Sequence, residues 1–170
     1  RPVPGVRPGH ALIAAASSGR GRAAAWLLPL VPRRAGGPAA RQPVALVATP
    51  TRELADQIDT MAKGYGTHQS LRSTAIYGGM GMEPQKRRLA RGLDLLVATP
   101  GRLLEHVRNK HARLDRVEIV VLDEADRMLD MGFLPDVRRI LAALPSKRQN
   151  LFFSATMPDE IEALIRKTTD

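Results

Sequence analysis

Cysteine is absent from the 170 residues, which excludes disulfides, thiolate metal sites and cysteine nucleophiles. Aromatic residues make up only 4%, so a core must rest on Leu, Ile, Val and Ala. Long apolar runs are missing as well. The longest, Ala11 to Ala16 and Ala23 to Leu28, end at Ser17 and Pro29, far short of the ~20 residues that span a bilayer. The opening residues carry no apolar segment followed by a small-residue cleavage site, so no signal peptide is expected. A soluble intracellular chain is the expectation, cytoplasmic and without a membrane partner. Acidic residues are missing from the front: residues 1–52 hold eight Arg and no Asp, Glu or Lys. Across the whole chain 26 Lys plus Arg face 17 Asp plus Glu, a net charge of +9, of which residues 53–170 contribute only +1. Such a balance favours a polyanionic partner, nucleic acid first and an anionic membrane surface second; solubility alone is the bland alternative.

The residues present are 44% hydrophobic and 25% charged, enough for one core and one domain over 1–170. Short apolar runs read as buried strands at 11–16, 44–48, 73–77, 93–98, 118–122 and 150–153. Helical patterns lie between them at 22–31, 52–64, 83–91, 101–109, 134–144 and 159–167. The Ala-, Gly- and Pro-rich stretch from Pro32 to Pro43 reads as a surface loop. Near-continuously apolar strands alternating with helices predict an α/β fold: a doubly wound, mostly parallel sheet flanked by helices. Ligands of such sheets bind at the carboxyl ends of the strands, so the chemistry is expected just after each strand.

Distinctive segments stand at those places. Asp123-Glu124-Ala125-Asp126 follows Glu118-Ile-Val-Val-Leu122. Two carboxylates at a buried strand tip form a Walker B pattern: Asp123 to hold Mg²⁺ and Glu124 to position an attacking water. The alternative is an acidic loop in which Asp123 or Asp126 caps the next helix. Pro50-Thr51-Arg52 follows the second strand, Gly78-Gly79 the third, Thr99-Pro100-Gly101-Arg102 the fourth and Ser154-Ala155-Thr156 the last. A helix N-terminus with an adjacent Arg makes an oxyanion site, and paired glycines permit close approach of the main chain. Helix capping for Arg52 and Arg102, a plain turn for the glycines and a local turn for Ser154 and Thr156 are the alternatives. Lys86, Arg87 and Arg88 read as a solvated helix face first and a nucleic-acid contact second. The four His share no metal-ligand spacing, and Trp26 and the Met residues are expected to pack in or near the core.

In order and spacing these five segments resemble the N-terminal RecA-like domain of the DEAD-box ATP-dependent RNA helicases. Residues 127–133 and 147–157 look like the bacterial branch of that family. The resemblance covers nearly the whole chain and implies a P-loop NTPase fold, with ATP and Mg²⁺ as cofactors and RNA as partner. It implies catalytic roles for Asp123 and Glu124 and for Asp123 at the metal. It implies sequence-independent contacts to the RNA backbone from Pro50, Thr51, Arg52, Gly78, Gly79, Thr99, Pro100, Gly101 and Arg102. Ser154 and Thr156 would bond to the acidic segment, at Asp126, and couple nucleotide state to domain closure. The complete enzyme would use ATP hydrolysis to unwind RNA.

One segment departs from the family. Its phosphate loop ordinarily reads A-x-T-G-x-G-K-T; here it is Ala16-Ser-Ser18-Gly19-Arg20-Gly21-Arg22-Ala23. Ser18 to Ala23 are the implied nucleotide-binding residues. Arg22 replaces a compact ammonium with a planar fork that is not equivalent in a tight cradle. Ala23 has no hydroxyl for Mg²⁺. The family's adenine-recognising Gln motif and its second RecA-like domain have no counterpart in residues 1–170, so a domain truncated at both ends is expected, a monomer of low activity by itself. Two further readings stay open: a catalytically impaired RNA-binding or scaffolding remnant, and a membrane-surface or protein-interaction module using the basic front.

Overall fold

The computed structural model describes residues 12–15, 27, 42–66 and 71–169. Six strands form one sheet: β1 (Leu12–Ala15), β2 (Ala45–Ala48), β3 (Ser73–Ile76), β4 (Leu95–Ala98), β5 (Ile119–Leu122) and β6 (Gln149–Ser154). Their order is β1-β6-β5-β2-β4-β3, and every pairing is parallel. The helices are α1 (Arg52–Gly66), α2 (Met82–Ala90), α3 (Pro100–Arg108), α4 (Ala125–Asp130), α5 (Leu134–Ala143) and α6 (Asp159–Thr169).

The strands are apolar on both sides because both sides are covered. Side chains alternate across a strand. Ala45, Val47, Val97, Val121 and Phe153 share one cluster with Leu27 and with Ala55, Ile58 and Ala62 of α1. Leu46, Ala48, Leu96, Val120 and Phe152 share the other with α3, α5 and α6 through Leu103, Val137, Ile140, Ile161 and Leu164. The 55/58/62 spacing puts the small apolar stripe of α1 on the sheet. A polar clamp fixes the far end of that helix. Asp59 accepts from the Ser73 hydroxyl of β3 and from Lys63 Nζ, both at 2.6 Å.

The strands and the helices α1, α2, α3, α5 and α6 lie where the pattern places them. The helix pattern at 22–31 lies outside the described residues apart from Leu27, which is buried. So do residues 32–41 and the phosphate loop from Ser18 to Ala23. α4 is an addition: no helical pattern is read between Asp123 and Leu134, but Ala125–Asp130 is helical. Its six residues are too few to display a 3.6-residue period. It ends in a Schellman arrangement: Gly132 at φ +79° donates to the Leu129 carbonyl, and the Phe133 amide to that of Met128.

Candidate functional site

Because every strand is parallel, all five segments come to one edge of the sheet. Backbone bonds draw four of them into a line. The Thr99 amide donates to Ile76, Thr49 to Ala98 and Asp123 to Ala48, each at 3.0–3.1 Å. Reading along the sheet from β5 to β3, the sequence of strand tips is therefore Asp123, Thr49, Thr99 and the Tyr77–Gly79 turn. Ser154 ends β6 on the other side of β5, and β1, which leads into the phosphate-loop segment, lies beyond it. The edge thus divides. The nucleotide candidates follow β1 and β5, and the RNA candidates follow β2, β4 and β3.

On the acidic half, Asp123 is buried and its Oδ1 accepts from the Glu124 amide at 3.0 Å. Glu124 sits at φ 52°, ψ 52°, a left-handed conformation for a residue other than glycine. Such strain costs on the order of 1–3 kcal/mol and concentrates at functional sites. The carboxylate of Glu124 pairs with Arg127 at 3.4 Å. Asp126 opens α4 and ties it to β6. Its Oδ2 accepts from the Thr156 amide at 3.0 Å and from the Thr156 hydroxyl at 2.9 Å. Its own amide donates to Ser154 Oγ at 3.1 Å, while that hydroxyl donates to the Thr156 carbonyl at 2.6 Å. The Ser154 hydroxyl thus bonds the backbone at Asp126 and Thr156, and it also helps to stabilise the Asp126 carboxylate. Burial pushes the Asp126 carboxyl up, but the Thr156 and Arg127 donors outweigh it and hold it below the ordinary value of 3.8.

Among the described residues no three His, Asp or Glu gather to hold a metal. Mg²⁺ does not require such a cage: it keeps waters and takes one or two carboxylates together with phosphate oxygens. Asp123, a buried carboxylate at a strand tip, suits that ion, whereas Ala23 supplies no oxygen from its side chain.

On the other half, Thr51 Oγ1 accepts from the Leu54 amide at 3.3 Å and caps α1. Arg52 is exposed, its guanidinium 5.8 Å from the centroid of the Tyr77 ring. The Tyr77 hydroxyl donates to Asp56 at 3.1 Å, one helical turn below Arg52. Burial, then the bond and charge of Asp56, raise the Tyr77 phenol above 10. Pro50 is buried and Pro100 occupies the first turn of α3. Thr99 precedes α3 without using its hydroxyl as a cap. Gly101 is exposed. Gly79 adopts φ +79°, which favours glycine, and a Cβ at Gly78 or Gly79 would meet nothing within 4 Å.

Arg102 is 12% exposed and largely engaged within the protein. Its Nη1 donates to the Met80 carbonyl at 2.7 Å and to Gln85 Oε1 at 3.2 Å, and its Nε to Glu105 at 2.7 Å. Sequence reasoning missed the group behind it. Gln85 Nε2 donates to the Tyr77 carbonyl at 2.9 Å, and Gln85 Oε1 lies 2.9 Å from His106 Nε2. His106 Nδ1 lies 3.0 Å from His111 Nδ1. Burial first, then His111 and Arg102, lower His106 from 6.5 to about 4, so it is neutral at pH 7. Its Nε2 must then carry the proton donated to Gln85, leaving Nδ1 to accept from His111. The available signal was the four-residue spacing of Arg102 and His106, which stacks them on one face of α3. Lys86, Arg87 and Arg88 are exposed on α2, with Arg87 3.8 Å from Glu83.

Comparison with known proteins follows the same lines. Residues 2–164 match the family model described as DEAD/DEAH box helicase. The chain is 45% identical over 162 residues to "DEAD-box ATP-dependent RNA helicase 30" of Arabidopsis thaliana, covering 94% of this chain and 27% of that protein. It is 43% identical over 159 residues to "ATP-dependent RNA helicase DBP2" of Mycosarcoma maydis, covering 92% and 29%. The crystal structure of the yeast DEAD-box splicing factor Prp28 superposes with a TM-score of 0.86 at 33% identity, over 94% of this chain and 40% of that one. The chain thus spans roughly a third or less of the curated relatives it matches. These relatives are eukaryotic, and the bacterial leaning of residues 127–133 and 147–157 finds no support among them.

Proposed function

The chain belongs to the DEAD/DEAH box helicase family, and on that premise we propose that it is the N-terminal ATP-binding and RNA-binding domain of an ATP-dependent RNA helicase. One observation carries the reading: a single sheet edge gathers Asp123, Glu124 and the Asp126–Thr156 bonds on one half and Arg52, Gly78, Gly79 and Thr99 on the other.

Ser18 to Ala23 and Asp123 would hold ATP and Mg²⁺, which together supply a phosphoanhydride for transfer. Glu124, carried by its left-handed backbone to the start of α4, would accept a hydrogen bond from the attacking water at a carboxylate oxygen. Arg127 limits the directions that carboxylate can take. Asp126 holds residues 154–156 against α4, so a displacement of either is felt by the other. Arg52, the amides at the start of α3 and the open Gly78-Gly79 turn would bind the RNA sugar–phosphate backbone without reading bases. A second RecA-like domain would supply the other wall of both clefts.

Arg22 and Ala23 favour a second reading, a catalytically impaired RNA-binding domain indifferent to ATP, because positioning and charge carry nearly all catalysis of phosphoryl transfer. Isothermal titration of the full chain with ATP and ADP in Mg²⁺, against an Arg22→Lys, Ala23→Thr variant, separates the two. The first reading predicts binding by the original chain, tightened in the variant. Absence of nucleotide binding in both would leave only the second.

A further inference from the structure

We propose that Gln85 is a positioning residue for RNA binding: with Arg102 and His106 it holds the Gly78-Gly79 turn in the shape that meets the RNA backbone. The inference rests on the RNA-binding reading above and adds to it a buried residue that touches no RNA.

The turn is open outside and tied inside. A side chain at Gly78 or Gly79 would meet nothing, so the turn has no packing of its own to fix it, and two glycines are the least restrained residues a turn can have. Its two flanking carbonyls are each held by one side-chain donor. The Tyr77 carbonyl takes the Gln85 amide at 2.9 Å, and the Met80 carbonyl takes Arg102 Nη1 at 2.7 Å. These donors are bound to each other, Arg102 Nη1 lying 3.2 Å from Gln85 Oε1. Gln85 Oε1 also accepts from His106 Nε2. The amide of Gln85 can face only one way, because a flip would set its NH₂ against the Arg102 N–H donor and its oxygen against the Tyr77 carbonyl. Gln85 is 3% exposed and His106 fully buried. Both act through the turn. A preformed binding turn avoids the cost of ordering it when RNA arrives.

The test measures binding of the full chain to a fluorescein-labelled decauridylate RNA over a range of salt, with amide hydrogen exchange on the same proteins. Gln85→Met keeps the length and loses every bond. Gln85→Glu keeps both accepting bonds, loses the donor to Tyr77 and sets a carboxylate oxygen against that carbonyl. Both variants should bind more weakly, Gln85→Met by roughly tenfold. Amides of residues 79–81 should exchange faster. In Gln85→Met the slope of log K against log salt should stay that of the original chain, because Gln85 carries no charge and every cationic phosphate contact remains. Equal affinity in the original chain and both variants would overturn the inference while leaving RNA binding intact. Weaker binding with unchanged exchange at residues 79–81 would overturn it by making Gln85 a direct contact. An original chain that binds no RNA would overturn the RNA-binding reading and this inference with it. Should Gln85→Met fail to fold, Gln85→Glu decides.

Discussion

At the tip of the central strand β2, Thr49 is fully buried and its hydroxyl has no hydrogen-bond partner. An unpaired buried hydroxyl costs about 1–3 kcal/mol. Thr49→Val has nearly the same shape and removes the orphan, so it should stabilise the chain by about 1 kcal/mol, read from the urea midpoint; a loss of stability would show that the hydroxyl is satisfied in solution. His106 carries the opposite kind of burial, a group kept neutral by its surroundings. Free in the unfolded chain it takes a proton near pH 6.5, and folded only near pH 4. The folded state therefore binds fewer protons across that window, and stability is lost as pH falls through it. His106→Gln removes the titration, so the stability gap between original and variant should narrow from pH 7 to pH 5. A constant gap in urea melts at the two pH values would contradict this. Thr49 was not legible beforehand, since a lone Thr carries no spacing. His106 offered only its four-residue spacing from Arg102, and its importance lies in Gln85, 21 positions away.

Among the elements, the short helix α4 shows how far pattern reading reaches. Most of the longer helices display an apolar stripe, and most of the buried strands a near-continuous apolar run, because hydrophobic burial repeats with the geometry of the element. α4 has six residues and is held by specific bonds instead: a left-handed Glu124 at its start, Gly132 at its end and the Asp126 carboxylate gripping Thr156. Asp126→Asn weakens that grip, costing about 1 kcal/mol at pH 7, since a partly exposed carboxylate is screened. The folded carboxyl lies below 3.8, so its contribution is present above that pH and is lost as pH falls through the folded value. The cost of the substitution should therefore shrink on going from pH 7 to pH 3. A cost that persists undiminished at pH 3 would assign it to lost bond geometry at Thr156 rather than to the carboxylate charge. The motif resemblance pointed to Asp126, Ser154 and Thr156 together; the separate tasks of the two hydroxyls required coordinates.

Over the whole molecule, the all-parallel sheet was legible because both its faces are covered and every connection between its strands returns to the same end. That topology puts five strand-tip segments on one edge, and it separates the acidic half from the half bearing Arg52 and the glycine turn. The division of labour along the edge was not legible, since it depends on strand order rather than on sequence order. Net charge is a poor guide to it: residues 53–170, which contain Gly79, Arg102 and Asp123, carry only +1 of the +9. No helix among the described residues is long and apolar enough to cross a membrane. The central claim is that this edge binds RNA through its backbone, and the most direct test is the salt dependence of RNA affinity, measured for oligouridylate and oligoadenylate with the full chain and with Arg52→Ala. Equal affinity for the two sequences is predicted, with log K falling linearly with log salt and a slope shallower by about 0.7 in Arg52→Ala, the loss of one phosphate contact. An unchanged slope in Arg52→Ala, or a strong preference for one base, would contradict it.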